Sequence, residues 1–360
     1  MIELELNKII GDITASFKTE LKYRINIVTG ESASGKSFLV QGFREAINLT
    51  GTWEYSCNKE VVLIQDVSAL QVMLQSKKDC LFIIDEDTLD TVRSNRVSVS
   101  MRDIIKSHNY FLLFDRQSSI KIECDVKAVY ALTSNKENEH VTYSLDPYFK
   151  LGDTGDIDVS KYKYLITEDS MSGKTFFKKL LHKLEVVDLN GDGSGALAKT
   201  ITPELLKDGV VIALDYDCGA VALQSILHKC KENGWSGTAG LIPMECFEEI
   251  VCNSDFILDA FPEMRDKVIN YEKYLSADDK HTGKYFARLL KEYVKQRPPV
   301  ETHSDRNVEK FYSKGAGHIE NCLTEDCCKY NKEDECRLYV NGDKQDKMLS
   351  NKFDWLNAFR

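Results

Sequence analysis

The stretch that decides the fold runs Ile27-Val28-Thr29-Gly30-Glu31-Ser32-Ala33-Ser34-Gly35-Lys36-Ser37-Phe38. It continues Tyr23-Arg24-Ile25-Asn26, and the β-branched residues of Ile25 to Thr29 predict a strand. Gly30 and Gly35 bracket a short polar loop, and a helical pattern follows from Ser37 to about Leu49. A strand that turns through glycines into a helix N-terminus points successive backbone N–H groups inward and adds the positive end of the helix dipole. Lys36 and Ser37 stand at the mouth of that turn. Such a loop suits a chain of phosphates, and the Lys36 ammonium adds a positive charge to it.

Outward from this loop, Val61–Ile64, Cys80–Ile84, Tyr110–Phe114 and Val126–Leu132 are short continuous apolar runs, the mark of buried parallel strands. Helical segments fit between most of them. The apolar runs stop around residues 145–160, where Leu151-Gly152-Asp153-Thr154-Gly155-Asp156 reads as a linker. A second series then begins, with strands expected at Tyr164–Thr167, Leu184–Leu189 and Val210–Leu214 and helices at 174–184, 203–207 and 219–232. The pattern turns helical from about Asp255 to Lys295 and ends at Pro298-Pro299. The fold class expected is α/β: two doubly wound, mostly parallel-sheet domains at 1–150 and 158–299. The second carries a helical extension, and a Cys-bearing tail follows at 300–360.

Composition limits the function. The chain has 360 residues, 42% hydrophobic and 29% charged, which suits folded domains and excludes low-complexity or collagen-like chains. No apolar run reaches the ~18 residues of a membrane span, so no membrane partner is expected. The net charge of −10 argues against coating nucleic acid with the whole surface but allows a local basic groove. Eleven cysteines, several inside apolar runs, with no basic-apolar leader at the start, read as a cytoplasmic protein.

Gly30 to Ser37 is a full G-x-x-x-x-G-K-[ST] match, and it resembles the Walker A loop of P-loop NTPases. Phe82-Ile83-Ile84-Asp85-Glu86 resembles the Walker B strand. The resemblance implies that Asp85 holds Mg²⁺ through water and that Glu86 polarises an attacking water. The plain alternative is an N-cap acid after an ordinary strand. The candidate nucleotide-binding residues are Gly30, Ser32, Ser34, Gly35, Lys36, Ser37 and Asp85, with Ser37 and Asp85 on the metal. No ABC-type signature is present. Thr133-Ser134-Asn135-Lys136-Glu137-Asn138 follows a strand where GTPases carry N-K-x-D, and Asn138 in place of the aspartate favours ATP over GTP.

The loop has an internal echo, Leu165-Ile166-Thr167-Glu168-Asp169-Ser170-Met171-Ser172-Gly173-Lys174-Thr175-Phe176. Glu168 replaces its first glycine, and a carboxylate there would confront bound phosphates. One reading is a duplicated, degenerate P-loop that keeps Lys174 and Thr175. The other takes Glu168, Asp215 and Asp217 as acids at the C-terminal ends of parallel strands, which open onto one crevice. That order of strand-Glu, strand-Gly and strand-Asp-x-Asp-x-Gly resembles the Toprim domain of topoisomerases, primases and the overcoming-lysogenization-defect nucleases. The resemblance covers roughly 162–260. It implies Glu168 as general acid or base and Asp215 and Asp217 as Mg²⁺ ligands, although Asp169 stands where that family usually has glycine.

Three weaker signals remain. Cys322, Cys327, Cys328 and Cys336 contain enough soft ligands for one Zn²⁺, without C-x2-C spacing. Asp188 to Gly193 imitates a calcium loop but reaches Lys199 where a bidentate Glu is needed, so a strand-to-helix turn is expected. Lys284, Arg288, Lys291 and Lys295 make a basic helix face, solvated or in contact with nucleic-acid phosphates.

The expected protein binds ATP and Mg²⁺ and carries a metal-dependent nuclease site at Glu168, Asp215 and Asp217, acting on DNA or RNA. Fused NTPase–Toprim chains resemble prokaryotic anti-phage defence systems. The alternatives are a tandem P-loop ATPase or phosphotransferase with a degenerate second site, and a non-hydrolysing ATP-binding regulatory or scaffold protein. A homo-oligomer or a partner protein is compatible with each.

Overall fold

The computed structural model describes residues 1–10, 13–30, 34–94, 101–115, 122–149, 161–168, 183–189, 194–232, 239–242, 244–253 and 261–296, with isolated residues between them. Cα packing divides the chain into two compact units. Unit 1 is Met1–Leu151 with Glu272–His281, and unit 2 is Gly152–Tyr271 with Thr282–Arg360.

Unit 1 contains, in chain order, β1 (Ile2–Ile10), β2 (Ile13–Leu21), β3 (Ile25–Thr29), α1 (Lys36–Ile47), β4 (Trp53–Cys57), β5 (Val61–Ile64) and α2 (Val67–Ser76). After these come β6 (Leu81–Ile84), α3 (Glu86–Arg93), α4 (Met101–Lys106), β7 (Tyr110–Phe114), β8 (Val129–Glu137) and β9 (His140–Pro147). The strands form one nine-stranded sheet in the order β4-β1-β2-β9-β8-β3-β7-β6-β5. Neighbours from β8 to β5 pair in parallel, while β1–β2, β1–β4 and β8–β9 are antiparallel. Strands β3, β6 and β7 are buried along their whole length; β6 and β7 read as unbroken apolar runs, while β3 also buries Asn26 and Thr29.

Two sequence expectations change here. The first half is not a pure strand–helix alternation, because antiparallel strands occupy one side of the sheet. In β1 the acids Glu3 and Glu5 alternate with buried Ile2, Leu4 and Leu6, the period of a strand covered on one face. The segment Thr133–Asn138 is also not a loop at a strand end. Val126–Ala128 is a 3₁₀ turn, β8 runs on to Glu137, and Asn138 at φ 55° turns the chain into β9. Asparagine tolerates that left-handed conformation.

Helix α1 lays Leu39, Val40, Phe43 and Ala46 on the sheet, where they join Leu4, Leu6, Phe17 and Trp53 in the core. The later segment Glu272–His281 completes this unit. Lys22 pairs with Glu272 at 2.7 Å, His108 Nδ1 meets Asp278 Oδ1 at 2.5 Å, and Arg24 Nε donates to the Lys280 carbonyl at 3.3 Å. The buried Arg24 guanidinium also donates to the Ile105 and Ser107 carbonyls at 2.7 and 3.0 Å, satisfying the end of α4.

Unit 2 contains β10 (Tyr164–Thr167), β11 (Glu185–Val186), α5 (Ser194–Thr200), α6 (Pro203–Asp208), β12 (Val210–Ala213), α7 (Ala220–Glu232) and β13 (Ala239–Leu241). Helices α8 (Phe247–Cys252), α9 (Arg265–Ile269) and α10 (Thr282–Gln296) follow. Its sheet is four parallel strands in the order β11-β10-β12-β13. Thr202 caps α6 ahead of Pro203, the residue suited to a first helical position. The strand expected over Leu184–Leu189 shrinks to Glu185–Val186. Val187 N–H still bonds the Leu165 carbonyl at 2.9 Å, and then Asp188 turns out to meet Lys174. On α10, Tyr285, Phe286, Leu289 and Leu290 are buried while Lys284 and Arg288 are exposed. No helix among the described residues is long and apolar enough to cross a membrane.

Candidate functional site

The first candidate site sits at the C-terminal end of β3. Helix α1 starts at Lys36 behind Gly35, whose φ of 99° and ψ of 1° are left-handed. A Cβ at Gly35 would lie 2.4 Å from Tyr143 Cε1, so both backbone angle and space require glycine. Leu39 N–H makes the first helical bond, to the Gly35 carbonyl at 3.0 Å, so the N–H groups of residues 36–38 have no intrahelical acceptor. Gly35 supplies no side-chain cap, and the first turn of α1 carries no acid. The first turn of α3, by contrast, carries Glu86 and Asp87. The buried Lys36 ammonium donates to the Gly30 carbonyl at 2.5 Å and to Ser34 Oγ at 3.1 Å, which folds it back over the loop. Ser37 is exposed at the same helix end. Ser32 lies outside the described residues. Cation, N–H groups and dipole have one sign here and the first turn of α1 carries no acid, an arrangement suited to a polyphosphate.

Asp85 and Glu86 follow β6 on the same edge of the parallel block. Asp85 is the N-cap of α3 and accepts the Thr88 N–H at 2.9 Å; Glu86 is the first helical residue. Strand β7 lies between β3 and β6, so the loop and these acids are two strand spacings apart, roughly 10 Å.

The end of β7 carries a residue that sequence reasoning passed over. Asp115, 2% exposed, donates its N–H to the Val28 carbonyl at 2.9 Å. Its carboxylate takes both Arg93 terminal nitrogens, at 3.0 and 2.5 Å. Arg93 ends α3, so the pair fixes the far end of the helix that Asp85 and Glu86 begin. The signal was visible: Tyr110–Phe114 runs into Asp115 as Leu81–Ile84 runs into Asp85.

The second candidate site is in unit 2. Strands β10 and β12 are neighbours in register, Thr167 opposite Ala213, and Glu168 N–H extends the ladder to the Ala213 carbonyl at 2.9 Å. The Glu168 carboxylate then accepts the Asp215 N–H at 3.2 Å. Asp217 is buried, donates its N–H to the Glu245 carbonyl at 3.0 Å and accepts the Gly283 N–H on Oδ2 at 2.7 Å. Gly219 closes this turn, where a Cβ would come 2.4 Å from the Asp215 carbonyl oxygen.

Two cysteines report the charge around these acids. Burial pushes the Cys218 thiol far up, and the charges of Asp217, Glu168 and Asp215 push it further. Cys246 is raised by burial first, then by Glu248, Asp217, Asp215 and Glu249. Glu245 and Glu249, both buried, were not singled out from sequence; they reach the site only through the fold, Glu245 N–H bonding Glu249 Oε2 at 2.8 Å.

Lys174 does not join these acids. Its ammonium pairs with Asp188, whose carboxyl is held below its ordinary range by that hydrogen bond. Among the described residues, no group of three or more His, Cys, Asp or Glu side chains is arranged to hold a metal ion. Cys322, Cys327, Cys328 and Cys336 lie outside the described residues. No protein-family model matches the chain, and no curated protein matches it.

Proposed function

We propose that the chain binds ATP through the loop at the head of α1 and that unit 2 carries an acidic site for phosphodiester hydrolysis. The observation that carries the nucleotide reading is Lys36, buried at the head of a helix whose first turn carries no acid and folded over Gly30 and Ser34. On binding, Lys36 would exchange the Gly30 carbonyl and Ser34 hydroxyl for phosphate oxygens. Ser37 directly, and Asp85 through water, are the residues that would hold Mg²⁺, which supplies charge neutralisation when bound. Glu86, beside Asp85 at the start of α3, would orient a water.

The second site is supported by the Glu168–Asp215 hydrogen bond and by the charges of Glu168, Asp215 and Asp217 converging on Cys218. The donor set is hard oxygen, which suits Mg²⁺ or Mn²⁺ on Asp215 and Asp217, but no three of the described groups form a ready chelate. No step through an ion is therefore derived. What the chain itself supplies is Glu168, anchored by a backbone N–H and able to take or give a proton. A duplicated phosphate loop is less well supported, since Lys174 is engaged by Asp188. A nucleotide-binding unit and an acidic nuclease-like unit on one chain would resemble nucleotide-controlled nucleases of anti-phage defence.

The test is ATP binding by calorimetry, together with cleavage of DNA and RNA in Mg²⁺ or Mn²⁺ with and without ATP. Lys36→Ala should abolish ATP binding, and Asp217→Asn should abolish cleavage. Equal ATP affinity in Lys36→Ala and the parent overturns the nucleotide reading. Parent-like cleavage by Asp217→Asn and Glu168→Gln overturns the nuclease reading.

A further inference from the structure

Beside the phosphate loop lies an aromatic cluster that phosphate binding does not explain. Phe38, in the first turn of α1, is 39% exposed although it is a large apolar side chain. Its ring lies 5.1 Å from Trp53 in an edge-on contact and 5.8 Å from Tyr143, with those two planes 35° apart. Trp53 is buried and forms the back of the cluster, while Tyr143 is half-buried. Lys8 Nζ sits 5.2 Å from the Phe38 centroid and 5.1 Å from that of Trp53, a contact that steadies both rings. The cluster brings together four separate elements, β1, α1, β4 and β9.

Its position gives it a use. Tyr143 packs directly on Gly35, the residue that closes the loop, and Phe38 is three residues further on, about 4.5 Å along the helix axis. Aromatic surface and phosphate cradle are therefore continuous. A nucleoside attached to phosphates at the head of α1 has to leave the loop along one side, and on this side it meets exposed aromatic carbon. Bases stack on aromatic rings whatever their hydrogen-bonding edge, because every base has a π face.

We propose that Phe38 and Tyr143 form the platform on which the nucleotide's base stacks, given that unit 1 holds the phosphates as proposed above. Selection at this platform works by ring area: a purine covers more of it than a pyrimidine, and adenine and guanine stack alike. The preference for one purine over the other is not made here.

The experiment separates base from phosphate with two probes, ATP and inorganic tripolyphosphate, titrated into the full chain and its variants. Phe38→Ala and Tyr143→Ala should each weaken ATP by about tenfold or more while leaving tripolyphosphate within about twofold of the parent. Phe38→Tyr should restore ATP affinity, and the parent's preference for ATP over UTP should shrink in Phe38→Ala. Lys36→Ala should lose both probes. Should Tyr143→Ala fail to fold, exposed Phe38 decides the matter alone. Parent-like ATP binding by Phe38→Ala, with Lys36→Ala losing both probes, overturns the platform and leaves the phosphate site standing. Equal loss of ATP and tripolyphosphate in Phe38→Ala also overturns it, since the ring then only shapes the loop. Retention of both probes by Lys36→Ala removes the phosphate site and the platform with it.

Discussion

The backbone N–H of Asp215 donates to the side-chain carboxylate of Glu168, 3.2 Å away, across two neighbouring parallel strands. One acid of the candidate site therefore has a structural duty separate from chemistry. Glu168→Ala removes the acceptor and should cost about 1–3 kcal/mol in urea denaturation. Glu168→Gln keeps an acceptor oxygen and should lose clearly less, while both variants lose any cleavage activity. Equal destabilisation by Ala and Gln would show that this bond contributes nothing.

The Arg93–Asp115 pair gives a second expectation. Both side chains are largely buried, with 11% and 3% of their surface exposed. Asp115→Ala leaves the largely buried guanidinium with only the more exposed Asp90 carboxylate, 3.5 Å away, and should cost about 3 kcal/mol. Adding Arg93→Met should recover much of that loss, because the stranded charge is then gone. A double variant no more stable than Asp115→Ala would refute this account.

Gly35→Ala should be destabilising for two separable reasons. A left-handed alanine costs about 1–2 kcal/mol, and the Cβ contact with Tyr143 adds about 1–3 kcal/mol of overpacking. In a Tyr143→Ala background the second part should vanish and the first remain. Thermodynamic cycles from denaturant melts measure both parts, and an unchanged cost in that background would rule out the clash.

Alkaline pH should weaken unit 1 through Tyr110. Burial, with the charge of Asp79 adding, raises its phenol from 10.0 to about 12, while a hydrogen bond with the Ala277 backbone pulls the other way. A group whose folded pKa is raised contributes stability in full below the unfolded value. That stability is lost as pH rises from 10.0 through about 12. Buried Cys124, also raised, starts the decline from its ordinary 9.0. Stability followed from pH 8 to 12 should fall more steeply in the parent than in Tyr110→Phe over the upper part of that range. Superimposable curves would count against it.

The strand before Gly30 and the helix head behind Gly35 were legible because their geometry is local and contiguous in sequence. The strands β6, β7 and β12 were legible for a related reason, since burial on both faces leaves an unbroken apolar run. The antiparallel strands were harder. Trp53-Glu54-Tyr55-Ser56-Cys57 becomes a strand only because β1 lies beside it, pairing Leu6 with Tyr55. Glu168 and Asp215 could be paired from strand-end positions, but Gly283 as the donor to Asp217 could not, being 66 residues away. Tyr143 escaped notice because its role depends on the β8–β9 hairpin returning it to Gly35. The placement of Thr133–Asn138 after a strand failed for the same reason, as β8 runs on to Glu137 and the hairpin turns at Asn138.

Unit 1 is not contiguous in the chain, and this sets an order of events during synthesis. Arg24 and His108 leave the ribosome early, but their partners in Glu272–His281 emerge only after all four strands of unit 2. The N-terminal unit can assemble its sheet as it is made but cannot be sealed then. A nascent chain stalled near residue 151 should expose the Tyr110 edge to protease, and one stalled well past residue 281 should protect it.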